Sequence, residues 1–257
     1  MKPLIDISYW QPPSQFDYDR VANAISGAII RCSYGSKYDY PYGKETAYPT
    51  HYAELHSRGV PLGVYIFLTQ YQPVGNQVRT LVEALQGKEF PLGVWLDVEN
   101  EAGASPLTRQ TVQAFMQQAE AELGYPLVIY TSNHYWSAIM GGAYFTTRKL
   151  WVAHYGVDYP LLPTGWNSYV LHQYAGSATG RIDGYPGGID CNRFNGTQEQ
   201  FDAWVSGEEI PEPITYPPLT KLFYPCDEGE RYITQFFGEN PGTYPASRGH
   251  NGIDFGF

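Results

Sequence analysis

From residue 4 to residue 205, short apolar runs alternate with stretches of helical periodicity. The apolar runs occupy Leu4–Ser8, Ala28–Tyr34, Leu62–Leu68, Leu92–Glu99, Leu127–Thr131, Leu150–Tyr155, Tyr169–Tyr174 and roughly Gly188–Asn192. Their length and their content of β-branched and aromatic residues predict strands. Between them the spacing predicts helices over Asp17–Ala24, Thr46–Ser57, Gly75–Leu85, Thr108–Leu123 and Asn133–Met140, with a closing helix at Gln198–Val205. The Thr108–Leu123 helix carries an N-terminal signal, Ser105 with Pro106 at N1, and a glycine, Gly124, at its far end.

Strands that alternate with helices imply parallel pairing and an α/β fold. The expectation is a closed, irregular TIM-like β/α barrel with eight strands and fewer helices, plus a short C-terminal extension. In such barrels the chemistry sits at the C-terminal ends of the strands. Asp6, Asp97 and Asp190 each fall near a strand's expected C-terminal end, so one acidic mouth is predicted. After the closing helix, Gly207–Thr220 contains Pro211, Pro213, Pro217 and Pro218, which cannot continue a helix and favour an extended linker. The predicted organisation is a barrel over residues 1–206, a Pro-rich linker over 207–221 and a small terminal segment over 222–257, too short for a core of its own.

Composition narrows the partners. The chain has 257 residues, 43% of them hydrophobic, with a net charge of −10. That charge disfavours nucleic acid, whose phosphates need clustered Lys and Arg. The 23 tyrosines suit stacking on sugar rings as well as semi-polar core packing. Cys32, Cys191 and Cys226 are too few and too far apart to suggest a disulfide framework or a zinc knuckle. Cys32 lies in an apolar run and reads as a buried thiol. No secretory signal is visible at the N-terminus, and no apolar run is long enough to enter a membrane as a spanning helix. The expectation is a protein made in a cytoplasm that acts elsewhere only after release.

The candidate chemistry lies at the end of the fourth run, L-G-V-W-L-D-V-E. Side chains alternate along a strand, so Asp97 and Glu99 emerge on one face and Val98 on the other. Two close carboxyls raise each other's cost of ionising and can divide into an acid and its charged partner. Glycoside cleavage needs such a pair. The plainer alternative is a strand end with two solvated acids.

Read together and in order, several segments resemble glycoside hydrolase family 25, the lysozymes also called muramidases. They are D-I-S at Asp6–Ser8, G-V-Y-I-F at Gly63–Phe67, L-D-V-E at Leu96–Glu99, V-I-Y-T-S at Val128–Ser132, L-W-V-A-H-Y at Leu150–Tyr155, H-Q-Y at His172–Tyr174 and G-G-I-D-C-N at Gly187–Asn192. The resemblance spans about residues 3–205. It implies hydrolysis of the β-1,4 bond between N-acetylmuramic acid and N-acetylglucosamine in bacterial peptidoglycan, with no cofactor and in the manner of a phage endolysin. It implies Glu99 as general acid and Asp97 as a charge or acetamido-orienting carboxylate. Asp6 would tune Glu99, and Asp190 would bind substrate or hold its neighbours. It further implies retention of configuration, with the acetamido group as internal nucleophile. Near neutrality the acid must stay protonated, so a pKa raised toward ~6 is expected.

Tyr65, Tyr130, Trp151, Gln173 and Tyr34 are the expected sugar-binding residues. Tyr65 and Trp151 read equally well as core, and Phe67 reads better as core. His172 reads as support or packing, and His51, His56 and His134 have no spacing that suggests metal ligation. The chain departs from the family where Tyr65-Ile66-Phe67 replaces Y-H-F, where His172-Gln173-Tyr174 replaces W-Q-Y, and where Arg31 replaces a common lysine. None of these removes a carboxylate.

The tail, with G-H-N-G-I-D-F-G at Gly249–Gly256, resembles the opening of the lysostaphin-type (LytM-like) zinc endopeptidases. His250 and Asp254 match that family's first two zinc ligands. A catalytic zinc needs three protein ligands, so zinc is expected only with further sequence, and no competent peptidase is expected here. Two other readings compete for the barrel. A chitinase-type D-x-x-D-x-D-x-E would need acids where Leu92 and Trp95 stand. A catalytically silent wall-binding module is disfavoured by the complete acidic set.

Overall fold

The computed structural model describes residues 1–38, 45–100 and 105–208, and the backbone of two strands at 232–235 and 254–256. Two compact units divide the chain, Met1–Ile214 and Thr215–Phe257. In the first, eight strands close a barrel in sequential order. They are β1 (Leu4–Ile7), β2 (Gly27–Tyr34), β3 (Leu62–Phe67), β4 (Val94–Asp97), β5 (Val128–Ser132), β6 (Leu150–Ala153), β7 (Leu171–Ala175) and β8 (Asp190–Phe194). The helices are α1 (Tyr18–Ala24), α2 (Tyr48–His56), α3 (Val74–Leu85), α4 (Arg109–Leu123), α5 (Asn133–Met140) and α6 (Gln198–Ser206).

Strands β1 to β7 pair in parallel, as expected, but β8 runs antiparallel to both β7 and β1. The reason is the connection. A parallel crossover needs a helix-sized return path, and residues 176–189 contain none. Gly188 marks how tightly that connection folds, because a Cβ there would lie 1.7 Å from the Ser177 carbonyl oxygen. The reversal corrects the placement of Asp190. It is the first residue of β8, not a residue near its C-terminal end. Because the strand runs backwards, that start lies level with Asp6, its register partner on β1.

Side-chain alternation divides the barrel into two cores. Ile5, Ile7, Ile30, Val64, Ile66, Leu96, Ile129 and Val152 face the helices and pack with Leu55, Leu81, Phe115 and Met116. The opposite set fills the interior: Leu4, Ile29, Trp95, Trp151, Leu171 and Phe194, closed by Phe201 and Trp204 of α6. The Trp95 and Trp151 rings meet edge to face at 5.3 Å, and Trp204 stacks on Phe194 at 5.5 Å. Gly63 makes this possible, since a Cβ there would lie 3.1 Å from the Trp95 indole nitrogen. Helix α6 follows β8 to the barrel end opposite the β4 C-terminus and plugs it. A capping box between Thr197 and Gln200 and a left-handed Gly207 define its limits.

Helix α4 starts later than Ser105-Pro106 suggests. Thr108 is the N-cap, its hydroxyl accepting the Thr111 amide. A Thr side chain three residues before a free N–H outcompetes an N1 proline as the point of entry. In the second unit, β9 (Tyr232–Gln235) and β10 (Asp254–Gly256) form an antiparallel pair that begins at Asp254. His250 and Cys226 lie outside the described residues.

Candidate active site

At the C-terminal ends of β1 to β7 the barrel opens into a cavity of about 650 Å³. Asp6, Asp97, Glu99 and Asp190 all line it, with Tyr65, Tyr130, Trp151 and Gln173. The fold thus brings together all four predicted acids and four of the five predicted sugar-binding residues. Tyr34 is elsewhere: its ring stacks on Phe67 at 4.4 Å, and it is not among the described residues lining the cavity. A one-residue offset on the twisted strand accounts for this. Arg31 on β2 points into the barrel, and Tyr34 follows a register shift between Arg31 and Ser33.

Each acid has a distinct setting. Asp97 closes β4 and is buried. Val98 turns into the helix-side core, so Glu99 returns to the cavity side just past the strand, at the partly exposed rim. Asp6 Oδ2 accepts from Gln173 Nε2 and from Asn192 Nδ2, both at 2.8 Å. Gln173 Oε1 in turn accepts the hydroxyls of Tyr130 and Tyr155, each at 2.8 Å. Asn192 Oδ1 accepts the Trp151 indole N–H at 2.7 Å. The cavity floor is therefore a hydrogen-bonded sheet of side chains around one Asp6 oxygen. In contrast, Oδ1 of Asp97 and Oδ1 of Asp190 are buried without a hydrogen-bond partner among the described residues.

Burial and crowding of like charges hold these acids protonated well above ordinary carboxyl values. Glu99 is pushed up to about 7, first by burial and then by Asp190, with Arg31 opposing. Asp6 rises to about 8 through burial and Asp190, against the lowering effect of its Asn192 and Gln173 donors. Asp97 is also raised, by burial, Glu99 and Asp6, with Arg31 again opposing. Four acids this close share their protons as a set rather than titrating one by one. Asp190 raises Glu99, and Glu99 in turn raises Asp6, so these three acids are linked electrostatically.

Several cavity residues escaped sequence reasoning. Arg31 is a lining residue and the only basic one among those described. It is buried, donates Nε–H to Glu45 at 2.8 Å, and lies over the Tyr9 and Tyr34 rings at 5.1 and 5.5 Å. A guanidinium inside an apolar strand was the visible signal. Trp10 and Tyr155 also line the mouth, both largely exposed. Asn192 stands inside the quoted G-G-I-D-C-N, but its role depends on contacts with β1 and β6. Two of the histidines are structural. His51 Nδ1 bonds the Tyr18 hydroxyl at 2.8 Å, and His172 Nε2 donates to the His154 carbonyl at 2.7 Å. Among the described residues, no group of three or more His, Cys, Asp or Glu side chains is arranged to hold a metal ion.

Comparison with known proteins agrees with this geometry. Lysozyme M1 of Streptomyces globisporus is 30% identical over 209 residues, covering 75% of this chain and 67% of that protein. The bacterial lysozyme of Streptomyces coelicolor superposes with a TM-score of 0.66 at 25% identity, over 81% of this chain and 98% of that one. The muramidase of Acremonium alcalophilum superposes with a TM-score of 0.66 at 27% identity, over 81% of this chain and 100% of that one. Residues 5–185 match the family described as Glycosyl hydrolases family 25. With its mixed eight-stranded barrel and acidic mouth, the chain belongs to that family.

Proposed function

We propose that Glu99 is the general acid of this muramidase, a glycosidase that hydrolyses bacterial peptidoglycan at the β-1,4 bond between N-acetylmuramic acid and N-acetylglucosamine. The observation that carries the assignment is the pairing of position and charge: Glu99 lies at the rim of the acidic cavity and holds its proton to about pH 7. In the first step Glu99 gives that proton to the glycosidic oxygen as the bond to the anomeric carbon breaks. The substrate's acetamido oxygen closes on the anomeric carbon from the other face, and Asp97, whose Oδ1 has no hydrogen-bond partner among the described residues, accepts the acetamido N–H. Water then opens the ring and returns a proton to Glu99, so configuration is retained.

Positive charge developing on the sugar ring is stabilised by a site already crowded with carboxyls. Asp97 meets that charge as a carboxylate, the form Arg31 favours, so the interaction strengthens in the transition state rather than in the ground state. Tyr65, Tyr130, Trp151 and Gln173 shape the sugar site, and Tyr34 supports Arg31 from the second strand. The net charge of −10 disfavours a nucleic-acid partner. No described helix is long and apolar enough to cross a membrane. Release from a cytoplasm onto the wall, endolysin fashion, is part of the same reading.

For the remaining chain we retain a barrel over 1–206, a Pro-rich connection over 207–221 and a LytM-like segment over 222–257. Its support is the sequence around His250 and Asp254, two of the three protein ligands that a catalytic zinc needs. Zinc titration should show no tight stoichiometric site in this sequence; a tight site would overturn that reading.

The test of the barrel is digestion of purified peptidoglycan followed by mass spectrometry of the muropeptides. The expected products carry reducing N-acetylmuramic acid ends and uncut stem peptides. Reducing N-acetylglucosamine ends would overturn the bond assignment. Binding to walls without release of fragments would favour a silent binding module instead.

A further inference from the structure

Arg31 Nη2, Glu45 Oε1 and Asp97 Oδ1 are all buried without a hydrogen-bond partner among the described residues. The first is a donor and the other two are acceptors. Arg31 and Asp97 line the catalytic cavity, whereas Glu45, just before α2, is not among its described lining residues. Arg31 donates Nε–H to Glu45 Oε2 at 2.8 Å. A guanidinium and a carboxylate commonly make two parallel bonds, yet here neither Nη2 nor Oε1 completes the second. The pair is held by one prong, and the guanidinium keeps a free donor.

We propose that Glu45 is a positioning residue for the glycosidase reaction: it anchors Arg31 through Nε alone, from outside the cavity, and so leaves Nη2 to serve the carboxylate of Asp97 within it. The inference rests on the muramidase reading above and deepens it. A carboxylate oxygen has two lone pairs, so Asp97 Oδ1 can accept from Nη2 and from the substrate's acetamido group together. The planar guanidinium can hold two carboxylates in fixed directions, which the single point charge of a lysine cannot do.

The charges around the pair make the division consequential. Arg31 opposes the raised pKa of both Asp97 and Glu99. Against it, Glu99 and Asp6 raise Asp97, and Asp190 raises Glu99. Burial keeps the neighbouring Tyr65, Tyr130 and Tyr155 hydroxyls neutral. Burial also raises Glu45, but Arg31 and the Tyr9 amide favour its ionised form. The Tyr9 and Tyr34 rings, 5.1 and 5.5 Å from the guanidinium carbon, confine it. An ionised Glu45 therefore offsets part of the Arg31 charge, and the acids feel the remainder.

The test is the pH profile of reducing-sugar release from purified peptidoglycan by the whole protein, with thermal unfolding recorded for each variant. The acidic limb reports ionisation of Asp97 and the alkaline limb loss of the Glu99 proton. Glu45→Gln keeps an acceptor oxygen and removes the charge, so the whole Arg31 charge acts on the acids. Both limbs should move to lower pH by about half a unit, with KM within about twofold of wild type. Arg31→Lys is the second variant, and it decides the matter if Glu45→Gln does not fold. Its ammonium should stay with Glu45 and leave Asp97 without a cation, so the acidic limb should rise by about half a unit. Unmoved limbs in folded Glu45→Gln would reduce Glu45 to a structural partner and overturn the proposal. An acidic limb that stays or falls in Arg31→Lys would overturn it equally. Either result leaves the muramidase reading standing, whereas a wild-type protein that releases no reducing sugar would overturn that reading itself.

Discussion

Asp6 and Asp190 are direct register partners across the antiparallel seam between β1 and β8. Like charges opposite each other on one face of a sheet are destabilising. The barrel responds by holding Asp6 to its proton: its pKa is raised to about 8, with Asp190 the largest contributor after burial. The same Asp190 raises Glu99, so one carboxyl placed by a reversed strand acts on two others.

Replacing Glu99 with Gln should lower kcat by roughly 10³-fold or more while the fold persists, since the isosteric amide cannot deliver the proton. Release of reducing sugar from peptidoglycan measures this. Activity within tenfold of wild type would remove Glu99 from the role of acid.

The acid is competent only while protonated, so kcat/KM should decline as pH rises through about 7. Asp190→Asn removes a neighbouring carboxyl that raises Glu99. The alkaline limb of the profile should then move to lower pH, by roughly half to one unit. An unmoved limb would show that burial alone sets the Glu99 proton.

Stability should carry the opposite signature to an ordinary paired carboxylate. The folded-state pKa of Asp6, about 8, exceeds its reference value of 3.8. Its contribution is fully present below about pH 4 and is lost as pH rises toward and through 8. Asp6→Asn abolishes that loss and still offers an amide oxygen to the Gln173 and Asn192 donors. Between pH 5 and pH 8 the wild type should lose on the order of 4 kcal/mol more than the variant, measured by denaturant unfolding at each pH. Parallel curves would contradict the assignment.

Arg31 and Glu45 form a buried pair with side chains 7% and 1% exposed. Arg31→Met leaves Glu45 buried without its cation and should cost about 3–5 kcal/mol. The double variant Arg31→Met/Glu45→Met should regain most of that stability. It should not regain activity, because Arg31 is the cation that opposes the raised pKa of both Asp97 and Glu99. Recovery of both together would reduce the pair to a structural role.

Gln173 links the two tyrosines to Asp6. Gln173→Leu should cost about 1–3 kcal/mol, because two hydroxyls and one carboxyl lose a buried partner together. It should also reduce activity on peptidoglycan by about tenfold. Unfolding curves and reducing-sugar assays check the two effects separately.

The amino-acid sequence by itself determined the strand and helix alternation, the eight-strand barrel and the identity of the acids. Those follow from local rules: apolar runs of strand length, a terminating glycine such as Gly124, and the i, i+2 spacing that returns Glu99 to the Asp97 side. Tertiary structure decided the direction of β8, and with it the reason Asp190 reaches the mouth. The missing crossover helix was visible, but its consequence depends on closing the barrel against β1. Closure also decided that Asn192 and Gln173 share one oxygen of Asp6, that Arg31 faces the acids while Tyr34 turns to Phe67, and that Asp190 stands close enough to raise both Asp6 and Glu99. Each of these joins residues far apart in sequence across the barrel interior. Protonation there depends on burial and distance, which no spacing along the chain contains.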